Sequence, residues 1–305
     1  MNTNSRHAYL IMVHKDMYSF EKLLQLLDYE LNDIYVHVDL KCKNFNYDLY
    51  KSLINKSKLI FIEDRYSVIW GGVSQIDAEL SLLKTARQNE NYSYYHLMSG
   101  SDLPLESPRK IHHFFKENDG KIYLDIHPLD NPKNEFERKI YRRISVRRIF
   151  TQYRSISGNK AKALVLLDRL YLMWQDKILR RDYIKQKGIK LAFGSQWFSL
   201  PNYVVDYILE NKDKITDYFS KGCFVDELFI QTLLREGGYT SERSNQSNLR
   251  YIDFRRSDRP GHPYVWRAKD YEELINVKEL FARKFDADID KEIINKIVKH
   301  VELAD

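Results

Sequence analysis

The chain lacks most features that mark secreted, membrane-spanning or metal-built proteins. Only two of its 305 residues are cysteines, Cys42 and Cys223, which excludes a disulfide framework and a tetra-cysteine zinc site. The apolar run from Ala8 to Val13 is short, and no run approaches the roughly 20 residues that a membrane span needs. No secretory signal is visible at the start. We expect a reduced, soluble protein with a cytoplasmic location.

Several common active-site motifs are also missing. The sequence has no Gly-x-Gly-x-x-Gly after a strand and no Walker-type loop, which are the two commonest phosphate cradles. It has neither His-Glu-x-x-His nor Gly-x-Ser-x-Gly, which excludes the common metalloprotease and hydrolase classes. Any active site must therefore be built from less familiar patterns.

Positive charge is concentrated in one segment. The formal net charge is +6, but residues 138–190 carry sixteen Lys and Arg against three Asp, or +13, so the remainder carries −7. This distribution favours a polyanionic partner, which could be nucleic acid, an anionic membrane or a phosphorylated substrate. The aromatic residues Tyr141, Tyr171 and Trp174 sit partly at helical spacing, which predicts core positions rather than base-stacking ones.

The first 130 residues alternate short β-rich runs with amphipathic helices, which predicts an α/β domain with a parallel sheet. Ser74 and Asp77 have the form of a capping box, and Ser107-Pro108 predicts another helix start. We interpret residues 1–305 as a single domain, with a basic, mostly helical insertion at 131–190 and a C-terminal helix within 285–305. A domain boundary near residue 130 or 190 is the alternative.

Three stretches carry candidate site residues. His37 and Asp39 follow a predicted strand, where a carboxylate can bind ribose or a base, or can simply end the strand beside Lys41. Ser99 to Asp102 also follow a strand. Trp70-Gly71-Gly72 precedes a helix, where glycines allow close approach of an anion, although an ordinary loop is the alternative.

The carboxylates later in the chain can each be interpreted in two ways, as site residues or as residues typical of helix ends. Asp226 and Glu227 are predicted at a helix start, which stabilises the charged form that a general base needs, but acidic residues are common there. Asp286, Asp288 and Asp290 predict a helix cap rather than a metal cluster, because the glycine and distal glutamate of a calcium loop are missing. Lys284 could bind phosphate or remain solvated.

Seven stretches in order resemble glycosyltransferase family 14, the core-2/I-branching β-1,6-N-acetylglucosaminyltransferases and peptide O-xylosyltransferases. They extend over most of the chain: Ala8–His14, Ile34–Lys41, Ile69–Ser74, Tyr95–Leu105, Phe193–Phe198, Val225–Glu227 and Phe281–Phe285. The resemblance implies a GT-A-type fold, with a mixed, mostly parallel central sheet flanked by helices. It also implies inverting transfer from a UDP-sugar with no divalent metal and no other cofactor.

The resemblance also implies residue roles. Glu227 matches the catalytic base and Lys284 the phosphate-binding lysine, with Arg259 or Arg256 as a candidate helper. Val13, Asp39 and Lys41 match the nucleotide site. The donor and acceptor sugars would lie among the remaining matched residues: Trp70, Gly71, Ser99, Asp102, Gly194, Ser195, Trp197 and Asp226.

The implied substrates are UDP-GlcNAc or UDP-xylose and a hydroxyl of a glycan or lipid-linked glycan. Because the chain lacks the anchor and cysteines of the animal members, we interpret it as a bacterial-type member acting in surface polysaccharide synthesis. It would be cytoplasmic, with peripheral contact to an anionic membrane and no nucleic-acid partner. The alternative function is a non-catalytic module that binds nucleic acid or anionic membrane through residues 138–190.

Overall fold

The structure, a computed structural model, describes residues 6–149, 158–239, 244, 247–259 and 261–304, with side chains from 162 onward in the second of these ranges. Residues 150–157 of the predicted basic insertion therefore lie outside the described residues.

Ten strands are present in the described residues. They are β1 (His7–Val13), β2 (Asn32–Val38), β3 (Lys58–Phe61), β4 (Tyr94–Ser99), β5 (Asp102–Pro104), β6 (His127–Pro128), β7 (Ala192–Phe193), β8 (Ser199–Pro201), β9 (Arg250–Ile252) and β10 (Phe281–Arg283).

The described α-helices are numbered in chain order. They are α1 (Tyr18–Leu27), α2 (Tyr47–Ser52), α3 (Ser74–Asn89), α4 (Pro108–Glu117), α5 (Glu135–Ser145), α6 (Gly158–Met173), α7 (Tyr183–Lys187), α8 (Asn202–Glu210), α9 (Lys212–Phe219), α10 (Phe229–Glu236), α11 (Tyr271–Leu274) and α12 (Lys291–Leu303). A π-helical stretch, Trp174–Ile178, continues α6, and short 3-10 turns cover Val225–Glu227 and Ala268–Asp270.

The central sheet has the strand order β3-β2-β1-β4-β8. Its first four strands are parallel and β8 is antiparallel to β4. A second sheet has the order β5-β10-β9, and β6 pairs antiparallel with β7. The predicted mixed, mostly parallel central sheet flanked by helices is confirmed.

Side chains along the strands alternate between two hydrophobic cores, one on each face of the sheet. Leu10 and Tyr35 pack with α3, whereas Ile11 and Val36 pack with α1 and α12. Strands β1 and β2 read as nearly continuous apolar runs because both of their faces are covered. This burial fixes the positions at which the parallel strands end.

The helix starts differ in part from the sequence pattern. Helix α3 begins at Ser74, but the Ser74 Oγ accepts a hydrogen bond from the Ile69 N–H at 2.9 Å. The predicted capping box with Asp77 is therefore wrong, because Ser74 lies inside the first turn. Ser107 is the N-cap of α4 with proline next, and Asp290 caps α12 by accepting from the Ile293 N–H at 3.1 Å. Both of these helix starts agree with the predictions.

The described part of the basic segment is mostly helical. Tyr141 is buried, as expected, but Trp174 is 44% exposed. The core position predicted for Trp174 is wrong, because α6 turns other residues toward the protein. Within the described residues, no helix combines the length and the apolar character that crossing a membrane requires.

Candidate active site

A pocket of about 190 Å³ opens where β1, β2 and β4 end. Parallel strands bring their carboxyl ends to one edge of a sheet, which is where open α/β folds bind ligands. Several residues proposed from the sequence line this pocket together with Arg283: Val13, His37, Asp39, Ser99, Trp197 and Lys284.

Asp39 is held rigidly at the end of β2. Its N–H donates to the Val13 carbonyl at 2.8 Å, which joins the ends of β1 and β2. Its carboxylate accepts from the Lys41 N–H at 2.8 Å and lies 3.4 Å from the Lys41 Nζ. His37 also lines the pocket, and burial lowers its pKa to about 4. The strand end thus offers one carboxylate and one neutral imidazole.

The opposite wall of the pocket is cationic. Arg283 is ion-paired with the buried Asp102 at 3.1 Å and lies 4.0 Å from the centre of the Trp197 ring. The Asp102 carboxylate also accepts from the Ser99 N–H at 2.9 Å. Asp102 therefore fixes Arg283 and Ser99 in place, while its own side chain is fully buried.

Lys284 lines both this pocket and a second pocket of about 190 Å³. Lys15, Met17 and Ser19 line the second pocket as well. Burial lowers the pKa of Lys284, and the charges of Arg283 and Lys15 lower it further. Helix α1 begins at this second pocket, and its N-cap, Met17, makes no side-chain cap bond. The second pocket also holds Asp16, Asp286 and Asp288, and the Asp288 carboxylate lies 3.7 Å from the Lys15 Nζ. Lys284 and the helix N-terminus are therefore the groups that favour a bound anion there.

Glu227 lies on a neighbouring loop and is 45% exposed. Its carboxylate is 2.6 Å from the Arg143 guanidinium of α5, and Arg143 also donates to the Phe224 carbonyl at 3.1 Å. The Glu227 carbonyl accepts from the Gly194 N–H at 3.0 Å. A Cβ on Gly194 would come within 2.0 Å of the Asp125 carbonyl oxygen, so only glycine fits there. Both the side chain and the backbone of Glu227 are therefore positioned.

The loop that contains Gly71 contacts the segment that carries Asp226 and Glu227 from the other side. The Phe224 N–H donates to the Gly71 carbonyl at 2.9 Å. Gln75 accepts from the Gly71 N–H at 2.6 Å and donates to Asp226 at 3.2 Å. Because Gln75 also lines the strand-end pocket, these contacts connect the loop to the pocket.

Asp226 and Glu227 do not begin a long helix, because a 3-10 turn precedes α10. The expected stabilisation of the charged form by a helix N-terminus is wrong for Asp226. Burial, followed by the charge of Glu227, raises the pKa of Asp226 to about 7. Glu79 lies fully buried nearby, and burial and the charge of Asp226 raise its pKa.

The other residues proposed from the sequence lie around the strand-end pocket and the turn that carries Asp226 and Glu227. Trp70 is 58% exposed, and its ring stacks on His262 at 5.6 Å. The Ser195 carbonyl accepts from Gln231 at 2.7 Å. Arg259 is exposed on the loop that carries His262 and does not line either pocket. Arg256 is engaged with Asp253, Asp270 and Glu273.

Sequence reasoning missed three side chains of this region: Arg143, Arg283 and Gln75. Arg283 sits beside Lys284 in one of the quoted stretches, so its position was a usable signal. Arg143 and Gln75 reach the site only through contacts across the fold. In the part of the chain that the structure describes, no cluster of three or more His, Cys, Asp or Glu residues could hold a metal ion.

A pocket at the carboxyl ends of parallel strands is the place where open α/β proteins bind their ligands. The family model for the Core-2/I-Branching enzymes matches residues 7–278, and the chain belongs to this family. The resemblance stated from the seven stretches is thereby confirmed. The curated relatives that match the chain are glycosyltransferases by name.

Individual relatives include both xylosyl- and N-acetylglucosaminyltransferases. Xylosyltransferase 2 of Rattus norvegicus is 24% identical over 97% of this chain and 34% of its own length. The N-acetyllactosaminide β-1,6-N-acetylglucosaminyl-transferase of Homo sapiens is 25% identical over 92% of this chain and 68% of its own length. The chain thus spans about a third of the length of xylosyltransferase 2.

Among solved structures, the apo form of mouse xyloside xylosyltransferase 1 is similar with a TM-score of 0.37. It is 11% identical, and the match covers 90% of this chain and 97% of that chain.

Proposed function

We propose that the protein is an inverting, metal-independent glycosyltransferase that moves GlcNAc or xylose from a UDP-sugar to a hydroxyl of a glycan. The observation that carries this proposal is a strand-end pocket connected, through Gln75 and its hydrogen bond to Asp226, to the positioned, half-exposed Glu227. Family membership supports a nucleotide-sugar donor, and relatives with both sugar specificities leave two donors to be tested.

The nucleotide would lie at the ends of β1 and β2. Asp39 can accept hydrogen bonds from ribose or a base, and Val13 and His37 line the same wall. Lys41 supports Asp39, because its N–H and its ammonium group both contact the carboxylate. In this arrangement Lys41 acts through Asp39.

The diphosphate would lie against Lys284, with Lys15, Arg283 and the N-terminus of α1 around it. Negative charge develops on the departing diphosphate as the bond to the sugar breaks, and fixed cations stabilise that charge. The protein supplies these positive groups from two separate parts of the chain, Lys15 with the start of α1 and Arg283 with Lys284, which supports transfer without a divalent metal.

Glu227 would act as the general base. Its carboxylate takes the proton from the acceptor hydroxyl while that oxygen attacks the anomeric carbon from the face opposite the diphosphate. The new C–O bond forms as the bond to the diphosphate breaks, and the electron pair leaves with UDP. Arg143 holds the carboxylate in one orientation, and Gly194 fixes the backbone.

The decisive experiment measures UDP release from UDP-GlcNAc and from UDP-xylose with EDTA present. We expect turnover of one donor without added metal. Absence of turnover with both donors, or strict dependence on manganese, would refute the proposal. Glu227→Gln is expected to retain UDP binding and to lose transfer by at least about 100-fold, within the range typical of general-base removal.

The biological setting proposed for this reaction is surface polysaccharide synthesis on the cytoplasmic side of a bacterial membrane. It is tested by offering lipid-linked and water-soluble glycan acceptors in parallel. Transfer to the lipid-linked acceptor supports the setting, and exclusive transfer to the water-soluble acceptor contradicts it.

A further inference from the structure

Helix α6 and the π-helical stretch after it expose an apolar face. Six large side chains on this face, which we name the apolar ridge, are 44–71% exposed: Leu166, Leu167, Leu170, Met173, Trp174 and Ile178. The α6 members lie at i, i+1, i+4 and i+7, which places them along one side of the helix. Contiguous exposed apolar surface of this kind marks an interaction site, whereas single exposed residues do not.

The opposite face of the same helical segment carries the polar residues. Asp168 and Gln175 are each 2% exposed. Asp168 is ion-paired with Arg148 at 2.6 Å, and Gln175 exchanges hydrogen bonds with the backbone of Arg147 at 3.1 and 2.8 Å. These contacts fix the rotation of the helix, so rotating the ridge inward would break them. The outward orientation of the apolar side chains is built into the fold.

Positive charge surrounds the apolar ridge. Five exposed cations lie on the same segment: Lys162, Arg169, Lys177, Arg180 and Arg181. Its two acidic residues are both engaged, because Asp168 pairs with Arg148 and Asp176 with Arg142 at 2.9 Å. An apolar strip flanked by Lys and Arg is the composition of a helix that lies in a membrane interface.

We propose that the apolar ridge and its flanking cations dock the protein on an anionic lipid bilayer. Anionic headgroups attract the cations while the ridge enters the boundary of the acyl chains. A second copy of the chain fits this surface less well, since two identical basic faces repel each other. Nucleic acid would satisfy the cations but would leave the apolar ridge in water.

The docking surface is close to the proposed catalytic centre. Arg142 of α5 holds the π-helical stretch through Asp176, and the next residue, Arg143, holds Glu227. A bilayer bound at the ridge would therefore present a lipid-attached acceptor near the proposed base. This last step rests on the proposed function, whereas docking itself does not.

Flotation of the full-length protein with vesicles tests the proposal. We expect binding to vesicles that contain phosphatidylglycerol, weak binding to phosphatidylcholine alone, and partial loss at high salt. The double variant Leu167→Asp/Leu170→Asp should reduce binding by at least about tenfold, because charged side chains replace buried apolar area. Arg180→Glu/Arg181→Glu should abolish the preference for anionic lipid.

The matched control is Leu49→Asp/Leu303→Asp, which changes two exposed leucines outside the ridge. The control should bind vesicles like the unmodified protein, and circular dichroism should show that all variants fold. No vesicle binding by the unmodified protein, or equal loss in the control, would overturn the proposal. So would a dimer that the ridge variant dissociates without any vesicle binding. Because flotation needs neither donor nor acceptor, its outcome is independent of transfer activity.

Discussion

Arg143 contacts Glu227 at 2.6 Å, while Arg142, its neighbour on α5, contacts Asp176 at 2.9 Å. Consecutive arginines thus hold two different parts of the molecule, the proposed base and the π-helical stretch. Because the two side chains have the same chemistry and adjacent positions, a substitution of Arg142 is a matched control for the same substitution of Arg143.

Arg143→Ala is expected to lower kcat by about 10- to 100-fold with little change in KM for the donor. The Glu227 carboxylate would lose its fixed orientation, and misplacement of a catalytic group has effects of this size. Steady-state kinetics of Arg143→Ala and Arg142→Ala check this expectation. Equal effects of the two variants on kcat would contradict a specific role for Arg143.

Lys284→Ala should weaken UDP binding by at least about tenfold, because a positioned cation at the diphosphate is removed. Calorimetric titration with UDP measures this effect, and Lys51→Ala, a change at an exposed lysine of α2, serves as the control. Unchanged affinity in Lys284→Ala would remove the lysine from the diphosphate site.

UDP affinity should also depend on pH through Lys284. Its pKa lies below the ordinary lysine value because of burial and of the Arg283 charge. A depressed lysine pKa means that the positive charge is lost earlier as pH rises, so UDP affinity should fall at a lower pH than for an ordinary lysine. Lys284→Arg keeps its charge in this range. If its affinity falls in parallel with that of the unmodified protein, Lys284 is not the titrating group.

The buried Asp226 makes stability depend on pH. Its folded-state pKa of about 7 lies above the ordinary value of 3.8, so the folded state binds more protons between these two values. Stability conferred by the protonated carboxyl is therefore lost as pH rises from 4 to 7. Asp226→Asn should gain roughly 2–3 kcal/mol relative to the unmodified protein between pH 5 and pH 8.

Urea unfolding at several pH values measures this difference. Asp213→Asn, a change at an exposed aspartate of α9, should leave the pH dependence unaltered. Glu79, whose pKa is also raised by burial, should contribute a remaining slope that Glu79→Gln reduces. A constant difference between Asp226→Asn and the unmodified protein at all pH values would show that Asp226 does not titrate in this range.

Gly194→Ala should be strongly destabilising, by about 2 kcal/mol or more, because overpacking against a backbone carbonyl forces the chain to shift. The shift would also move the Glu227 carbonyl that accepts from the Gly194 N–H. Gly120→Ala is the comparison: at a φ of +75° alanine is strained, but the Cβ position is open, so this variant carries the backbone cost without the clash and should lose less stability. Thermal unfolding and kcat report the two effects, and equal behaviour of both variants would contradict the steric argument.

The sequence determined the strand-end residues of the site. Buried apolar runs such as Ala8 to Val13 specify parallel strands, and a parallel sheet brings residues that follow its strands to one edge. Asp39 and Ser99 could therefore be placed at one edge of the sheet from the strand pattern, whereas Val13 was placed by the family resemblance. The ordered motifs also identified the family, because each stretch keeps its residue types and its place in the chain.

Only the tertiary structure decided how distant side chains meet. Arg143 and Glu227 are 84 positions apart, and Gln75 and Asp226 are 151 apart, so no local pattern could join them. Burial likewise reversed the expected charge preference of Asp226. Tertiary packing also left Trp174 and its apolar neighbours facing outward. Helical spacing shows which side chains share a face, but only packing decides which way that face points.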